Sequence, residues 1–405
     1  MHARRVCTVT DKEKMMSCVI FGAGKIARGF IGHLLYLSGI DFTFIEYNDA
    51  LADLINERGS YTVNILGNSD KNCVVKGARA LKFSEQEKIT EAIAEADCVF
   101  TAVGGKNLGG ITELLAKGIE RKAVTGKDLN VVTCENWKQP AQILQDAMDE
   151  MICKDAKTYL EEHVGITEAV IMRSAIESDE ELLKKDPLIV NVQDFWELPV
   201  DASRLAGKLP DIQGLKLVEE FTGFLERKFY TYNAANGTVS YLGALLGYDK
   251  LADAAHDERI LEILEGVYRE TAEALSKKHQ FPLEEQLAFT RTSKRKLQDY
   301  KIVDFIERNA RDPLRKLGRE DRLVGSARLV QEYGIVPEHL ATAIAAAVYY
   351  RNDSDPFARE LERIRKEEGI DAVLVNICGL EADGELGRLI KSKIELLKER
   401  GWINE

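Results

Sequence analysis

The sequence predicts an α/β chain in two parts, a parallel-sheet domain followed by a mostly α-helical one. Three observations predict it. The apolar run Ser17–Phe21 leads directly into a Gly-rich turn and then an amphipathic stretch. Short apolar runs alternate with helical stretches through the first half, the pattern of parallel strands joined by helical crossovers. Beyond about residue 200, helical periodicity dominates. A length of 405 residues suits two domains.

The elements follow in order. After the first run, Ile26–Ser38 is amphipathic and Phe42–Tyr47 is a second apolar run, followed by a helical stretch over Ala50–Glu57. Tyr61–Leu66 and Cys73–Lys76 form a β excursion. A helix over Glu85–Glu95 precedes a buried-type strand over Asp97–Val103, and a helix near Ile111–Glu120 precedes a strand at Asn130–Cys134. Further strands are expected at Ala169–Ser174 and Leu188–Phe195. Helices then follow over Leu217–Phe229, Thr238–Leu246, Ile260–Lys278, Leu283–Gln298, Arg322–Tyr333, His339–Tyr350, Pro356–Glu368 and Leu386–Arg400. Pro282, Pro313, Pro337 and Pro356 sit near helix starts, where the missing N–H costs little. The expected organisation is an extension over 1–16, an α/β domain over 17–195 and a helical domain over 196–405.

Composition removes several function classes. A formal charge of −12 makes a nucleic acid or a membrane surface a poor partner. No apolar run reaches the ~18–20 residues of a membrane span. The N-terminal residues lack the apolar segment of a secretory signal. Seven scattered cysteines without a CxxC read as reduced thiols, so a cytoplasmic protein is expected. The six histidines show no zinc-ligand spacing, and no metal is expected.

The turn at Gly22-Ala23-Gly24 continues Lys25-Ile26-Ala27, giving GxGxxA between a strand and a helix. The first Gly permits the tight turn, the second a close approach of pyrophosphate, and the small third residue close helix–strand packing. Phosphates would take N–H groups at the helix start. Glu46, ending the second strand, can accept both hydroxyls of a ribose and repel a 2′-phosphate, so NAD is expected over NADP. The plainer alternative is a tight turn with a solvated glutamate. Two later strand ends face the same crevice: Val103-Gly104-Gly105, and Cys134-Glu135-Asn136. Ligands bind outside the carboxyl ends of such strands, which makes Asn136 a candidate beside the nicotinamide. A simple turn asparagine is its alternative.

Several stretches then resemble one family: FGAGKIARGFIG (21–32), TAVGGKNL (101–108), VVTCEN (131–136), EEHVGI (161–166), ERKFYTYN (226–233), YLGALLG (241–247), DPLRKLGREDRL (312–323) and AIAAAVYYRNDSDP (343–356). In order, they resemble the polyol-specific long-chain dehydrogenases, the mannitol dehydrogenase family, most of all its mannitol-1-phosphate 5-dehydrogenase branch. The resemblance implies a metal-independent, NAD-dependent interconversion of a polyol or polyol phosphate with the ketose. It also implies a K-x-x-x-x-N-x-x-H pattern in which Lys is the general base and Asn and His hold the reacting oxygen. Lys228 and Asn233 match; the His position holds Asn236. A second family pattern, V-D-R, reads Ile171-Met172-Arg173.

The chemistry of the residues agrees with that role. A lysine serves as base only if its pKa falls well below ~10.4, and apolar burial lowers it. Phe224, Phe229, Tyr230 and Tyr232 surround Lys228 in sequence, whereas Glu226 and Arg227 read as solvated. On a continuous α-helix residues 228, 233 and 236 span an arc of about 140°. Asn233 and Asn136 carry NH₂ donors suited to an alkoxide; Asn236 can hydrogen-bond but not titrate. The basic stretch Arg311–Arg322 is either a solvated, ion-paired helix entry or a phosphate site, with Arg315, Lys316 and Arg322 as candidates and Arg351 as a further one. Three functions stay open: a dehydrogenase of a polyol phosphate, of the mannitol-1-phosphate/fructose-6-phosphate kind; one of an unphosphorylated polyol or hexuronate-type sugar, with the pocket altered at Met172 and Asn236; and an NAD-binding protein without turnover.

Overall fold

In the computed structural model, which describes residues 16–176, 178 and 180–404, six strands form one parallel sheet among the described residues. They are β1 (Ser17–Phe21), β2 (Asp41–Glu46), β3 (Ala80–Lys82), β4 (Cys98–Thr101), β5 (Leu129–Thr133) and β6 (Val164–Glu168). Their spatial order is β3-β2-β1-β4-β5-β6, each neighbour parallel. This is the doubly wound order of dinucleotide-binding sheets, with the chain reversing direction at β1 and β4. Every residue of β4 and β5 is buried, because helices cover both faces. The crossover helices include Asp49–Arg58, Gln86–Glu95 and Thr112–Ala123. The expected extension, with Cys7, lies outside the described residues apart from Met16. The described cysteines are free thiols, and Cys18, Cys98, Cys134 and Cys378 are buried.

Two expectations are corrected. The strand beside β5 is Val164–Glu168, not Ala169–Ser174. The apolar Val164, Ile166 and their neighbours complete the sheet, while Ala169 donates its N–H to the Thr133 carbonyl at 2.8 Å and then bridges to Val200, where the ladder ends. Beyond it the chain leaves the strand to place Arg173 in the interior, where it donates to the carbonyls of Phe195 at 2.5 Å and Gly29 at 2.8 Å. Second, Leu217–Phe229 is not one helix. Leu215–Val218 is a strand paired with Leu198–Asp201, and the helix starts at Phe221.

The chain divides into two compact units between Phe221 and Thr222 rather than at 195/196. The reason is the pair of strands just described: Val170 N donates to the Pro199 carbonyl at 2.9 Å and Thr167 Oγ1 to that of Asp201 at 2.7 Å, which ties them to the end of β6.

The second unit is helical. Its central helix, Glu338–Val348, is buried on almost every side. Its alanines allow close packing of Ala234–Leu245, Glu258–His279 and Glu385–Glu399 around it. A helix apolar all round belongs in a core, and Leu340, Ile344 and Val348 are fully buried there. Among the described residues no helix is long and apolar enough to cross a membrane, and no group of His, Cys, Asp and Glu is placed to hold a metal ion.

Candidate functional site

The Gly-rich turn is held from three sides. Gly22 has φ +91°, and a Cβ there would meet the Ala102 carbonyl oxygen at 2.7 Å, so only glycine fits. Ala23 N–H donates to Glu46 Oε2 at 2.7 Å, and its carbonyl accepts from the buried Arg28 Nε at 2.8 Å. Glu46 Oε1 takes the Asn48 N–H at 2.8 Å. Gly24 is exposed with open space where a Cβ would stand, and Lys25 and Ile26 lie half-buried at the helix start. Ala27 is fully buried against the sheet. A bare backbone turn, open at Gly24 and beside a fixed carboxylate, fits a dinucleotide. Arg28, unassigned by the sequence, also donates to the Leu188 carbonyl at 2.7 Å.

The next two strand ends are bound to each other. Glu135 is buried and accepts from Thr101 Oγ1 at 3.0 Å, Val103 N at 2.9 Å and Gly104 N at 2.7 Å. Gly104 adopts φ +85° and is exposed, and Val103 is half-buried. Trp137 packs on Gly105, where a Cβ would lie 2.2 Å from the ring. Asn136 is exposed between Glu135 and Trp137. The role of Glu135 went unread; an acid two residues after a wholly buried strand was the available signal.

In the helical unit, Lys228 ends the helix Phe221–Lys228 and the next turn is wide. Phe229–Asn233 is a π-helix, and the Ala234 N–H donates to the Phe229 carbonyl five residues back. A turn closed over five residues brings Lys228 and Asn233 nearer to one face than the α-helical arc allows. Such bulges concentrate at functional sites. Lys228 is half-buried, and its amine is lowered to about 8, first by burial and then by the Arg322 charge. Lys296 is also lowered to about 8, by burial and by Lys228, with Asp304 opposing. Lys316 falls to about 7 through burial and the charges of Arg322 and Arg315, with Asp312 and Asp321 opposing.

Arg322 connects these groups. Its guanidinium lies 5.6 Å from the Phe229 ring centroid, it pairs with Asp321 at 2.9 Å, and its chain packs against Gly237. Lys316 Nζ donates to the Asn309 carbonyl at 2.5 Å, and Asn236 Nδ2 to Asn309 Oδ1 at 3.0 Å. The fold thus gathers Lys228, Asn233, Asn236, Lys316 and Arg322, and adds Lys296 and Asn309, which the sequence did not single out. Arg315 is exposed and paired with Asp312 and Asp321; Arg351 is exposed and paired with Glu362.

Arg227 is corrected from solvated to buried. It donates to Gln286 Oε1 at 2.5 Å and Glu285 Oε1 at 2.8 Å, and lies over the rings of Phe281 and Phe289. Gln286 Nε2 then donates to Thr231 Oγ1 inside the wide turn at 2.9 Å. Glu226 is not free in water either, since it pairs with Lys278 and His279.

Comparison with known proteins agrees with this architecture. The chain is similar in structure to a D-sorbitol dehydrogenase in substrate-free form, with TM-score 0.80 and 15% identity over 96% of this chain and 94% of that one. It is also similar to Pseudomonas fluorescens mannitol 2-dehydrogenase in ternary complex with NAD and D-mannitol, with TM-score 0.70 and 12% identity over 96% and 93% of the two chains. At these identities the likeness establishes the fold. The model of the mannitol dehydrogenase Rossmann domain matches residues 16–214, and that of the mannitol dehydrogenase C-terminal domain matches residues 220–396. With both domains matched in order, the chain belongs to the mannitol dehydrogenase family.

Proposed function

We propose that this oxidoreductase interconverts a polyol phosphate and a ketose phosphate, of the mannitol-1-phosphate/fructose-6-phosphate kind, with NAD as cofactor and Lys228 as general base. The observation that carries the reading is the Lys228 amine, lowered to about 8 and one wide helical turn from Asn233. An amine at its ordinary 10.5 would be neutral in less than about one molecule in a thousand at pH 7; near 8 it is neutral in about one in ten. Bound NAD supplies the hydride acceptor, held by the Gly22–Ile26 turn, Glu46 and the Val103-Gly104 loop. Lys228 takes the hydroxyl proton. Asn233 and Asn136 are the proposed NH₂ donors to the oxygen as it gains charge. Glu46 disfavours a 2′-phosphate, so NADH is preferred over NADPH.

The cations around the base favour a phosphorylated substrate. Lys228, Lys296 and Lys316 all lie below their ordinary value because burial and neighbouring positive charge act together. A phosphate held by Arg322 and Lys316 would offset the like charge between those two cations through charge-assisted hydrogen bonds. The test is a panel of sugars and sugar phosphates with NADH and NADPH. The reading expects kcat/KM for fructose 6-phosphate to exceed that for fructose by at least ~100-fold, since hydrogen bonds to charged groups contribute roughly 1.5–3 kcal/mol each. Equal values for the two, or activity only on a hexuronate, would move the assignment to the unphosphorylated or uronate class. NADH binding without turnover on the whole panel would leave a dinucleotide-binding protein.

A further inference from the structure

Beside the wide turn the helical unit holds a cleft of about 370 Å³ that is not lined by Lys228, Asn233, Lys316 or Arg322. Glu226 enters it from the helix Phe221–Lys228 and Lys278 from Glu258–His279. Arg328 and Glu332 come from the helix Val324–Glu332, and Glu320 from just before it. The two cations are already matched: Lys278 pairs with Glu226 at 2.8 Å, and Arg328 pairs with Glu320. Glu332 is exposed and makes no ion pair or hydrogen bond among the described residues. Three carboxylates thus face two cations. Tyr230, the second residue of the wide turn, also lines the cleft. It is only 8% exposed, yet its hydroxyl makes no hydrogen bond among the described residues. That hydroxyl stands over Gly325 on the cleft wall, where a Cβ would lie 2.8 Å from it. Burial, then the charges of Glu226 and Glu320, push the phenol up to about 12, so it is neutral and able both to donate and to accept.

We propose that this cleft is a second binding site, separate from the Lys228 site, for a small organic ammonium. An ammonium carries only donors, and the uncommitted groups of the cleft are the Glu332 carboxylate and the Tyr230 hydroxyl. An anion would meet the surplus carboxylate and two cations that are already paired. A buried hydroxyl without a partner is costly, and a guest that supplies one recovers that cost. The volume sits at the lower end of small-molecule sites, ~300–1,000 Å³. The acids are not grouped to hold a metal ion among the described residues, so the guest is a molecule rather than a bare ion. Its hydrogen bond would land on the turn that spaces Lys228 and Asn233.

The test is calorimetric titration of the full-length protein, without cofactor, by the diamine putrescine, by butanediol as its uncharged counterpart and by succinate as its anionic one. Putrescine is expected to bind at one site per chain, and the other two at least ~10-fold more weakly. Glu332→Lys should weaken putrescine by about 10-fold, because it exchanges an attraction for a repulsion. Tyr230→Phe should weaken it by about 2- to 10-fold, the loss of one hydrogen bond. This variant removes one unpaired atom and keeps the ring against Phe229, so it is expected to fold. Glu150→Lys, at an exposed position of the helix Pro140–Met151, makes the same change in net charge elsewhere and should bind as wild type. An equal loss in Glu150→Lys and Glu332→Lys would mean general attraction to an acidic chain and would overturn the site. So would wild-type protein that does not bind putrescine, butanediol or succinate binding as tightly as putrescine, or wild-type affinity in either Glu332→Lys or Tyr230→Phe.

Discussion

Replacing Arg322 with Gln removes one positive charge beside the Lys228 amine and leaves a polar side chain. The drop of that amine from 10.5 to about 8 has burial as its larger cause and Arg322 as its smaller one. The guanidinium therefore accounts for less than half of the drop, about one pH unit at most, or ~1.4 kcal/mol. With Lys228 as the proposed base, polyol oxidation requires the neutral amine, and its rate in the wild type is expected to rise with pH through about 8. In Arg322→Gln the rise moves upward, toward about 9, and oxidation at pH 7 slows by up to ~10-fold. Ketose reduction needs the ammonium form, so its plateau extends to higher pH in the variant. The assay is kcat against pH in both directions, at saturating cofactor and substrate. Saturation matters because Arg322 is also a proposed phosphate contact, and loss of that contact appears in KM. A rise that stays at the wild-type pH, or moves down, would refute the coupling between Arg322 and Lys228.

Three further outcomes follow from the same geometry. Arg227→Ala removes the guanidinium between Phe281 and Phe289 and leaves Gln286 Oε1 without its donor; urea unfolding should show a loss of about 2–4 kcal/mol, and a loss under about 0.5 kcal/mol would contradict its buried role. Gly105→Ala places a Cβ 2.2 Å from the Trp137 ring, so the Glu135–Trp137 turn must shift; about 1–3 kcal/mol of stability should go, along with cofactor affinity, and wild-type values for both would show that the two loops are not one unit. Asn236→His puts an imidazole where the family carries one, next to Asn309; kcat/KM toward fructose 6-phosphate should rise by up to ~10²-fold, while unchanged kinetics on every substrate would remove position 236 from the site.

How much was legible in the sequence differs between the two units. In the first, local patterns carry the information. A GxGxxA turn needs its glycines for backbone reasons that act within a few residues, and Glu46 follows from the same βαβ unit. The buried strands read correctly where they are short apolar runs, as at β1, β4 and β5. They failed at β6, where two apolar segments, 164–166 and 169–172, lie in succession and only tertiary packing against β5 chooses between them. The helix Pro140–Met151 went unread although Pro140 opens it and Ala141, Leu144 and Met148 recur at helical spacing. In the second unit the helices were legible by period. The chemistry was less so, because the wide turn at Phe229–Asn233 changes the angular relation of Lys228 to Asn233. Nothing in five residues of mixed aromatic and polar character announces an i→i+5 bond. Arg227 shows the same limit, since an arginine between a glutamate and a lysine reads as surface until Gln286 and Phe289 arrive from a distant helix and Phe281 from the loop before it. Lys296 became part of the site for that reason too.

The proposed chemistry depends most directly on Lys228. The decisive measurement is single-turnover and steady-state oxidation by Lys228→Ala on an established substrate, with NADH affinity measured on the same preparation. The base assignment predicts that turnover falls by at least ~10²-fold, the contribution of a positioned proton acceptor, while NADH binds within a few-fold of wild type. Turnover near the wild-type rate, with NADH bound as before, would contradict it.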